Sequence, residues 1–426
     1  MTEAVKPADP ASRSAPLAWY TELGKNERRT LWACMSGWGL DGMDVQIYSF
    51  VVPAIIASWG ITRGDAGLIA TAALVTSALG GWIAGWLADR IGRVRTLQIA
   101  IGWFAGFTFL CGLTQNYEQL FAARALMGLG YGGEWAAGAV LLAETIRPEH
   151  RGKALGSMQA SYAVGWAIAA IAAAVVFSTV GEATGWRVLF FLGLAPALLI
   201  LFVRRLVGES EVYTRSKETL ADSGDKVSVL EIFRPPLLRK TILGGLLGTG
   251  AQGGYNAIIT WLPTYLRTER HLSVLDSTGY LVVMIAGSFC GYMTGAYLAD
   301  GIGRRNTFLF FAVGAMIIVI GYTMVPFGDG AMLILGAPLG FFGAGVFSAQ
   351  GAFYAEQFPT RVRGVGQGFT YNVGRGVGAF FPAIVGFLSG RLGLGLAIGV
   401  LAVCGYGLMA VTAYMLPETR GKVLDP

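Results

Sequence analysis

Apolar stretches about as long as a bilayer is thick, separated by short polar ones, run from Leu31 to Leu416. A helix needs roughly 20 mostly apolar residues to cross the hydrocarbon core, and on that rule the pattern predicts twelve spans. The first six cover about 30–57, 65–87, 96–114, 118–143, 153–178 and 186–204. The second six cover about 241–266, 276–299, 307–326, 330–355, 364–388 and 392–416. Leu206 to Lys240 is the one long polar connection between them.

The two sets repeat. "LADRIGR" at 87–93 returns as "LADGIGR" at 298–304, and "AETIRPEHRGKALG" at 143–156 returns as "AEQFPTRVRGVGQG" at 355–368, offsets of 211 and 212. "LVGESE" at 206–211 is echoed by "MLPETR" at 415–420, an offset of 209. Three matches in order at nearly one offset indicate a duplicated six-helix unit. The expected fold class is an all-α membrane protein whose twelve transmembrane helices form two pseudo-symmetric six-helix bundles. Its parts are a polar tail (1–28), a first bundle (29–205), a central loop (206–240), a second bundle (241–416) and a C-terminal tail (417–426).

Composition agrees: 54% of residues are hydrophobic, 14% are charged, and mean hydropathy is +0.56, where a soluble chain carries about 25% charge. The net charge of +6 does not indicate nucleic acid, because the bases lie in short loops between apolar runs. With the N-terminus inside, 25 Lys and Arg fall on the cytoplasmic side and five on the other (Arg63, Arg187, Arg267, Arg270 and Arg391). The positive-inside rule then places both termini in the cytoplasm and the protein in the inner membrane. Residues 1–28 hold no apolar core for a signal peptide and read as a retained, partly disordered tail. Cys34, Cys111, Cys290 and Cys404 all fall in apolar runs, against a disulfide framework or metal site. His150 and His271 lie in loops, which leaves no histidine for proton work inside the membrane. No phosphate loop, nucleophile motif or metal-ligand spacing is present, so an enzyme is not expected, nor any cofactor beyond a proton gradient as driving force.

"GWLADRIGRVR" at 85–95 resembles the loop signature of the major facilitator superfamily, "RALMGLGYGGE" at 124–134 its fourth-helix pattern and "PETRG" at 417–421 the end of its twelfth helix. The resemblance covers about 28–422 and implies two bundles around a cavity that opens alternately to each side. It also implies a cytoplasmic latch. Gly85 would let helix backbones approach, Asp89 and Arg93 would pair in the tight turn beside Arg90, and Asp300 with Arg304 would repeat this in the second half. Glu144 with Arg151, Glu356 with Arg363, and Glu209 and Glu418 extend the network. The alternative is a positive-inside loop held by surface pairs, each worth little.

Substrate chemistry must come from ionisable residues inside spans, which are costly in lipid and mark function by default. Asp41 and Asp44 in "LDGMD" are three apart and share a helix face. Two carboxylates that close in a low-dielectric setting do not readily both ionise, which suits proton coupling; the alternative is helix pairing through backbone or Ser36. Asp44, nearer the midplane, is the first choice for the proton. Glu134, set among small residues on span four, could carry the proton instead. Arg124, ten residues away, is too far along the helix to pair with it. The resemblance gives Arg124 a part in proton coupling; otherwise it snorkels to the outer surface. Arg375 lies halfway along span eleven, where span five has about Ala163, so the repeat does not demand it. A guanidinium forks onto carboxylates and does not deprotonate, which suits a clamp for an anionic substrate; the alternative is a fixed pair with Asp44 or Glu134. Candidate cavity walls are Trp38, Tyr48, Tyr131, Trp135, Gln252, Tyr255, Asn256, Trp261, Tyr371 and Asn372.

"LDGMD" at 40–44 resembles the first-helix acids of the aromatic acid:proton symporters. "GLGYGGEWAAGAVLLAE" at 128–144 is closer to the sialate:proton symporters, a group that includes lactate and pyruvate carriers. Both imply proton-coupled symport of a small organic anion, a monocarboxylate or an aromatic acid, by a protein that functions as a monomer. A sugar or polyol symporter and a drug or metabolite exporter are the rival transport readings. The short tails speak against a non-transporting sensor.

Overall fold

The computed structural model describes residues 18–194, 229–359 and 362–419, which are helical almost throughout and include no strand. Spans one to five are Lys25–Trp59, Arg63–Ile91, Arg93–Leu113, Tyr117–Thr145 and Pro148–Val180, and span six begins as Glu182–Leu192. Spans seven to ten are Leu237–Thr268, Val274–Ile302, Arg304–Met324 and Asp329–Gln357. Span eleven is two helices, Arg363–Gly378 and Phe381–Leu392, and span twelve is Leu394–Met415. Among the described residues, nine helices are long and apolar enough to cross a membrane on length and composition. Spans four and seven are not among the nine. They carry Arg124 and Glu134, and Gln252 and Asn256, polar groups that need protein or water around them rather than lipid.

The packing repeats as the sequence does. Span one packs on five and two on four; in the second half, seven packs on eleven and eight on ten. Small residues set these contacts. A Cβ on Gly165 would overlap the Gly39 carbonyl between spans five and one, and a Cβ on Gly374 would come within 2.6 Å of Gly248 Cα between spans eleven and seven. Across the halves, span five meets eight and span two meets eleven.

Four features differ from the sequence reading. The end of the N-terminal tail is ordered: Ala18–Glu22 is helical, Trp19 and Leu23 are buried, and span one starts at Lys25 because Glu27 caps its first turn at Gly24 N, 2.7 Å away. His150 sits in the first turn of span five and contacts Glu22 at 2.9 Å, where a loop was expected. Span seven starts at Leu237, four residues inside the stretch read as central loop; most of that loop lies outside the described residues. Finally, span eleven is broken after Gly378. Pro382 has no N–H to give the Gly378 carbonyl four residues back, and the neighbouring Ala379 carbonyl accepts from Thr71 Oγ1 of span two at 2.7 Å. That break lies one turn beyond Arg375.

The halves are closed on each other at the end that carries Arg63. Arg63 approaches Glu269 at 4.0 Å, and Arg267 Nη2 lies 2.6 Å from Glu182 Oε1. Glu269 also accepts from the backbone N–H groups of Leu394 and Gly395, at 2.5 and 2.9 Å. Spans two and eleven touch there so closely that a Cβ on Gly67 would lie 2.7 Å from the Pro382 carbonyl oxygen. Gly67→Leu is therefore expected to wedge this end open. Spin labels on the exposed Ser58 and Arg391 should move apart in pulsed-EPR distances, and an unchanged distance would show that the contact does not hold this end shut.

Candidate functional site

The acids of "LDGMD" are placed by the glycine between them. A Cβ on Gly42 would lie 2.7 Å from the Tyr162 carbonyl oxygen, so glycine lets span five approach span one at this level. Asp41 and Asp44 are fully buried, and Glu134 is 2% exposed. Asp41 of span one and Glu134 of span four are close enough to interact side chain to side chain. As carboxylates both can only accept, and among the described residues no donor reaches either Asp41 oxygen or Glu134 Oε1. One proton held between the two would supply the missing donor.

Asp44 goes elsewhere. Thr108 Oγ1 of span three donates to its Oδ2 at 2.5 Å, and a Cβ on Gly193 would lie 2.5 Å from its Oδ1. Asp44 therefore sits in the wall between spans one, three and six and lines neither cavity. The sequence favours Asp44 for the proton; Asp41 is the aspartate beside Glu134, because the one-turn step between the two is enough to give them different neighbours.

Arg375 is 3% exposed, and its guanidinium lies 4.2 Å from the centre of the Tyr131 ring. Among the described residues it makes no ion pair within 4.0 Å, so the fixed pair with Asp44 or Glu134 is not formed, and its Nη1 has no partner. It lines a central cavity with Trp38, Tyr131, Gln252, Tyr255, Asn256 and Tyr371, together with Gln159, Tyr162, Tyr292 and Phe347. Trp38 is stacked parallel to Tyr131 at 6.0 Å. Trp135 stacks on Tyr371 at 4.1 Å, joining the halves one turn from Arg375. A second cavity adjoins the first through Val45, Leu74, Tyr131, Asn256 and Ile259, and is lined by Tyr48 and Arg124. Arg124 is 2% exposed, which removes the snorkelling alternative.

Three expected wall residues line neither cavity: Trp135, stacked on Tyr371, and two packing groups, Trp261 and Asn372. Trp261 is fully buried and donates to the Pro382 carbonyl at 2.9 Å, bracing the break in span eleven. Asn372 donates to the Gly368 carbonyl at 2.9 Å, and a Cβ on Gly81 of span two would lie 2.7 Å from its Oδ1. Of the residues missed, Gln159 had a signal: the repeat offset of 212 carries it onto Tyr371. Tyr162, Tyr292 and Phe347 had none, because aromatics in apolar runs serve equally as packing. Chemically, the cavity offers one fixed positive charge, amides and flat apolar walls, the lining of a site for a small polar-ended organic molecule.

The Major Facilitator Superfamily model matches residues 35–383. The chain belongs to that superfamily. It is 41% identical to a probable 4-methylmuconolactone transporter of Cupriavidus pinatubonensis over 96% of this chain and 94% of that one. It is 31% identical to the cis,cis-muconate transport protein of Acinetobacter baylyi, over 91% and 93% respectively. Among solved structures, the superfamily's proton:xylose symporter XylE, bound to 6-bromo-6-deoxy-D-glucose, superposes with a TM-score of 0.72 over 94% of this chain and 98% of that one, at 18% identity. The protein is thus a multi-pass membrane transporter of the major facilitator superfamily, with relatives that carry organic acids, and not an enzyme.

The superfamily's loop signature has a visible geometry here. Gly92 and Gly303 adopt φ of 104° and 96°, conformations that glycine alone takes without strain, and each starts the next span without a side-chain cap. Glu418 caps the second of these starts, accepting from the backbone N–H of Arg304 and Arg305 at 2.9 and 3.1 Å. An acid at a helix N-terminus is favourable there. Arg93 pairs with Glu144 at 3.2 Å, and Arg304 with Glu356 at 3.1 Å. Arg90 stacks on Trp86 at 4.0 Å. Glu209 and the side chains of Asp89, Arg151, Asp300 and Arg363 lie outside the described residues. Gly85 does not bring helices together in this conformation: a Cβ there would meet nothing within 4 Å.

Proposed function

We propose that the protein is a proton-coupled symporter of a small organic anion, working by alternating access in the inner membrane with both termini cytoplasmic. One observation carries the reading: Arg375 is a buried guanidinium in the central cavity, with no carboxylate within ion-pair distance among the described residues. A buried charge without a counter-charge is costly, and a substrate carboxylate supplies one. The flat walls of Trp38, Tyr131 and Tyr371 suit a planar or unsaturated carbon body. The names of the two relatives, a muconolactone and a muconate carrier, lend support to an organic acid.

The proton's place in this reading is the Asp41–Glu134 pair, one helical turn from the wall residues Trp38 and Tyr131. With the basic loops inside, the end closed by Arg63, Glu269, Arg267 and Glu182 faces outward. The described state is then the one closed to the outside, from which substrate leaves inward once the proton is lost. Each bundle pair already encloses a complete cavity, so a monomer suffices.

Uptake of radiolabelled acids into proteoliposomes tests the reading. An imposed inward proton gradient is expected to drive accumulation of benzoate or muconate above equilibrium, and neutral sugars should not compete. Accumulation indifferent to the gradient would remove the proton, and competition by sugars alone would remove the anion.

A further inference from the structure

We propose that the second cavity is an anion subsite built on Arg124, and that the preferred substrate is a short dicarboxylate bridging Arg124 and Arg375. The proposal rests on the organic-anion reading and deepens it.

Arg124 shares the unusual condition of Arg375. It is 2% exposed on span four, its guanidinium lies 4.6 Å from the centre of the Tyr48 ring, and among the described residues its one polar contact is a hydrogen bond from Nη1 to Met127 Sδ at 3.3 Å. A thioether is a weak acceptor and does nothing to balance a buried charge. Its Nε is buried without a partner, and among the described residues no carboxylate comes within 4.0 Å. Asp44 is the acid on this side, but its Oδ2 is bonded to Thr108. The molecule thus buries two guanidinium groups in adjoining cavities, each over a tyrosine ring and, among the described residues, each with no carboxylate within 4.0 Å.

Hydroxyl and amide groups complete the second cavity. Gln46, Ser49 and Thr260 line it, and Gln46 Nε2 is a buried donor with no partner among the described residues. These are groups for a polar substrate end. The ring under Arg375 belongs to Tyr131, seven residues along span four from Arg124, about 10 Å of helical rise. Two guanidinium groups facing cavities that share lining residues suit the two ends of one short α,ω-diacid, each held by a charge-assisted hydrogen bond of about 2.8 Å. Tyr131 and Asn256 line both cavities and would flank the middle of such a chain.

Binding of butanedioate, pentanedioate, hexanedioate and octanedioate to the purified transporter, each beside its monomethyl ester, tests this. The ester keeps the chain and removes one charge. Wild type is expected to bind the best-fitting diacid at least about tenfold more tightly than its half-ester, the size of one charge-assisted hydrogen bond, with affinity peaking at one of the shorter chains. In Arg124→Gln that ratio should collapse toward one, while Arg124→Lys should keep part of it. Half-ester binding that remains measurable certifies that the variant is folded. A wild-type ratio near one overturns the subsite and leaves the organic-anion reading standing, as does a ratio that Arg124→Gln does not change. Failure of wild type to bind either the diacids or the half-esters overturns both.

Discussion

Glu134→Gln is expected to abolish accumulation of substrate against its gradient while leaving exchange of substrate across the membrane in place. The glutamine amide donates permanently to Asp41, the role that a shared proton plays in the native pair. The variant is fixed in a likeness of the protonated state and has no proton to release. Accumulation in proteoliposomes under an imposed proton gradient should fall to about the equilibrium ratio, whereas counterflow of labelled against unlabelled substrate, which needs no net proton movement, should persist. Asp41→Asn is expected to do the same from the other side of the pair. Asp44→Asn is the contrast, because its amide oxygen can still accept from Thr108 and it touches neither cavity; it should retain coupling. Gradient-driven accumulation that survives in both Glu134→Gln and Asp41→Asn would remove the pair from the coupling mechanism. Its loss in Asp44→Asn alone would restore the aspartate that the sequence favoured.

The different neighbours of the two aspartates mark how far the sequence could be read. The twelve spans and the duplication were legible because they are periodic and local: hydropathy sets the spans, and the repeated loop motifs set the halves. The buried charges were legible as well, since an ionisable residue in an apolar run has few meanings. Their partnerships were not. Asp41 and Asp44 are one turn apart on one helix, yet one meets Glu134 and the other Thr108, and only the angle at which spans three and four pack decides which. The closure by Arg63, Arg267, Glu182 and Glu269 was likewise hidden. Its residues sit at span ends as ordinary loop charges, and no motif joins Arg267 to Glu182 across 85 positions. The break in span eleven had a signal in Pro382, but its consequence did not: it ends the first helix just beyond Arg375, where the Ala379 carbonyl accepts from Thr71.

Arg375→Lys carries the second large effect, although it conserves charge. The guanidinium is planar, lies over the Tyr131 ring at 4.2 Å, and can present two parallel N–H groups to one carboxylate; an ammonium is a point charge that neither stacks on a ring nor forks. A hydrogen bond to a charged group contributes about 1.5–3 kcal/mol. Loss of one arm of the fork together with part of the ring contact, itself worth about 1–2 kcal/mol when desolvated, therefore predicts a fall in substrate affinity of about 100-fold. Arg375→Gln removes the charge as well and should leave no measurable uptake of a monoanion. Thermal stability should move far less, because among the described residues Arg375 makes no ion pair whose loss would strand a carboxylate. If Arg375 were instead a structural counter-charge, the order would invert: Arg375→Gln would lose stability first, and Arg375→Lys would keep near-native affinity. Direct binding and melting temperature measured on the same two variants distinguish these outcomes, and an affinity for benzoate or muconate in Arg375→Lys within threefold of wild type would dismiss the clamp.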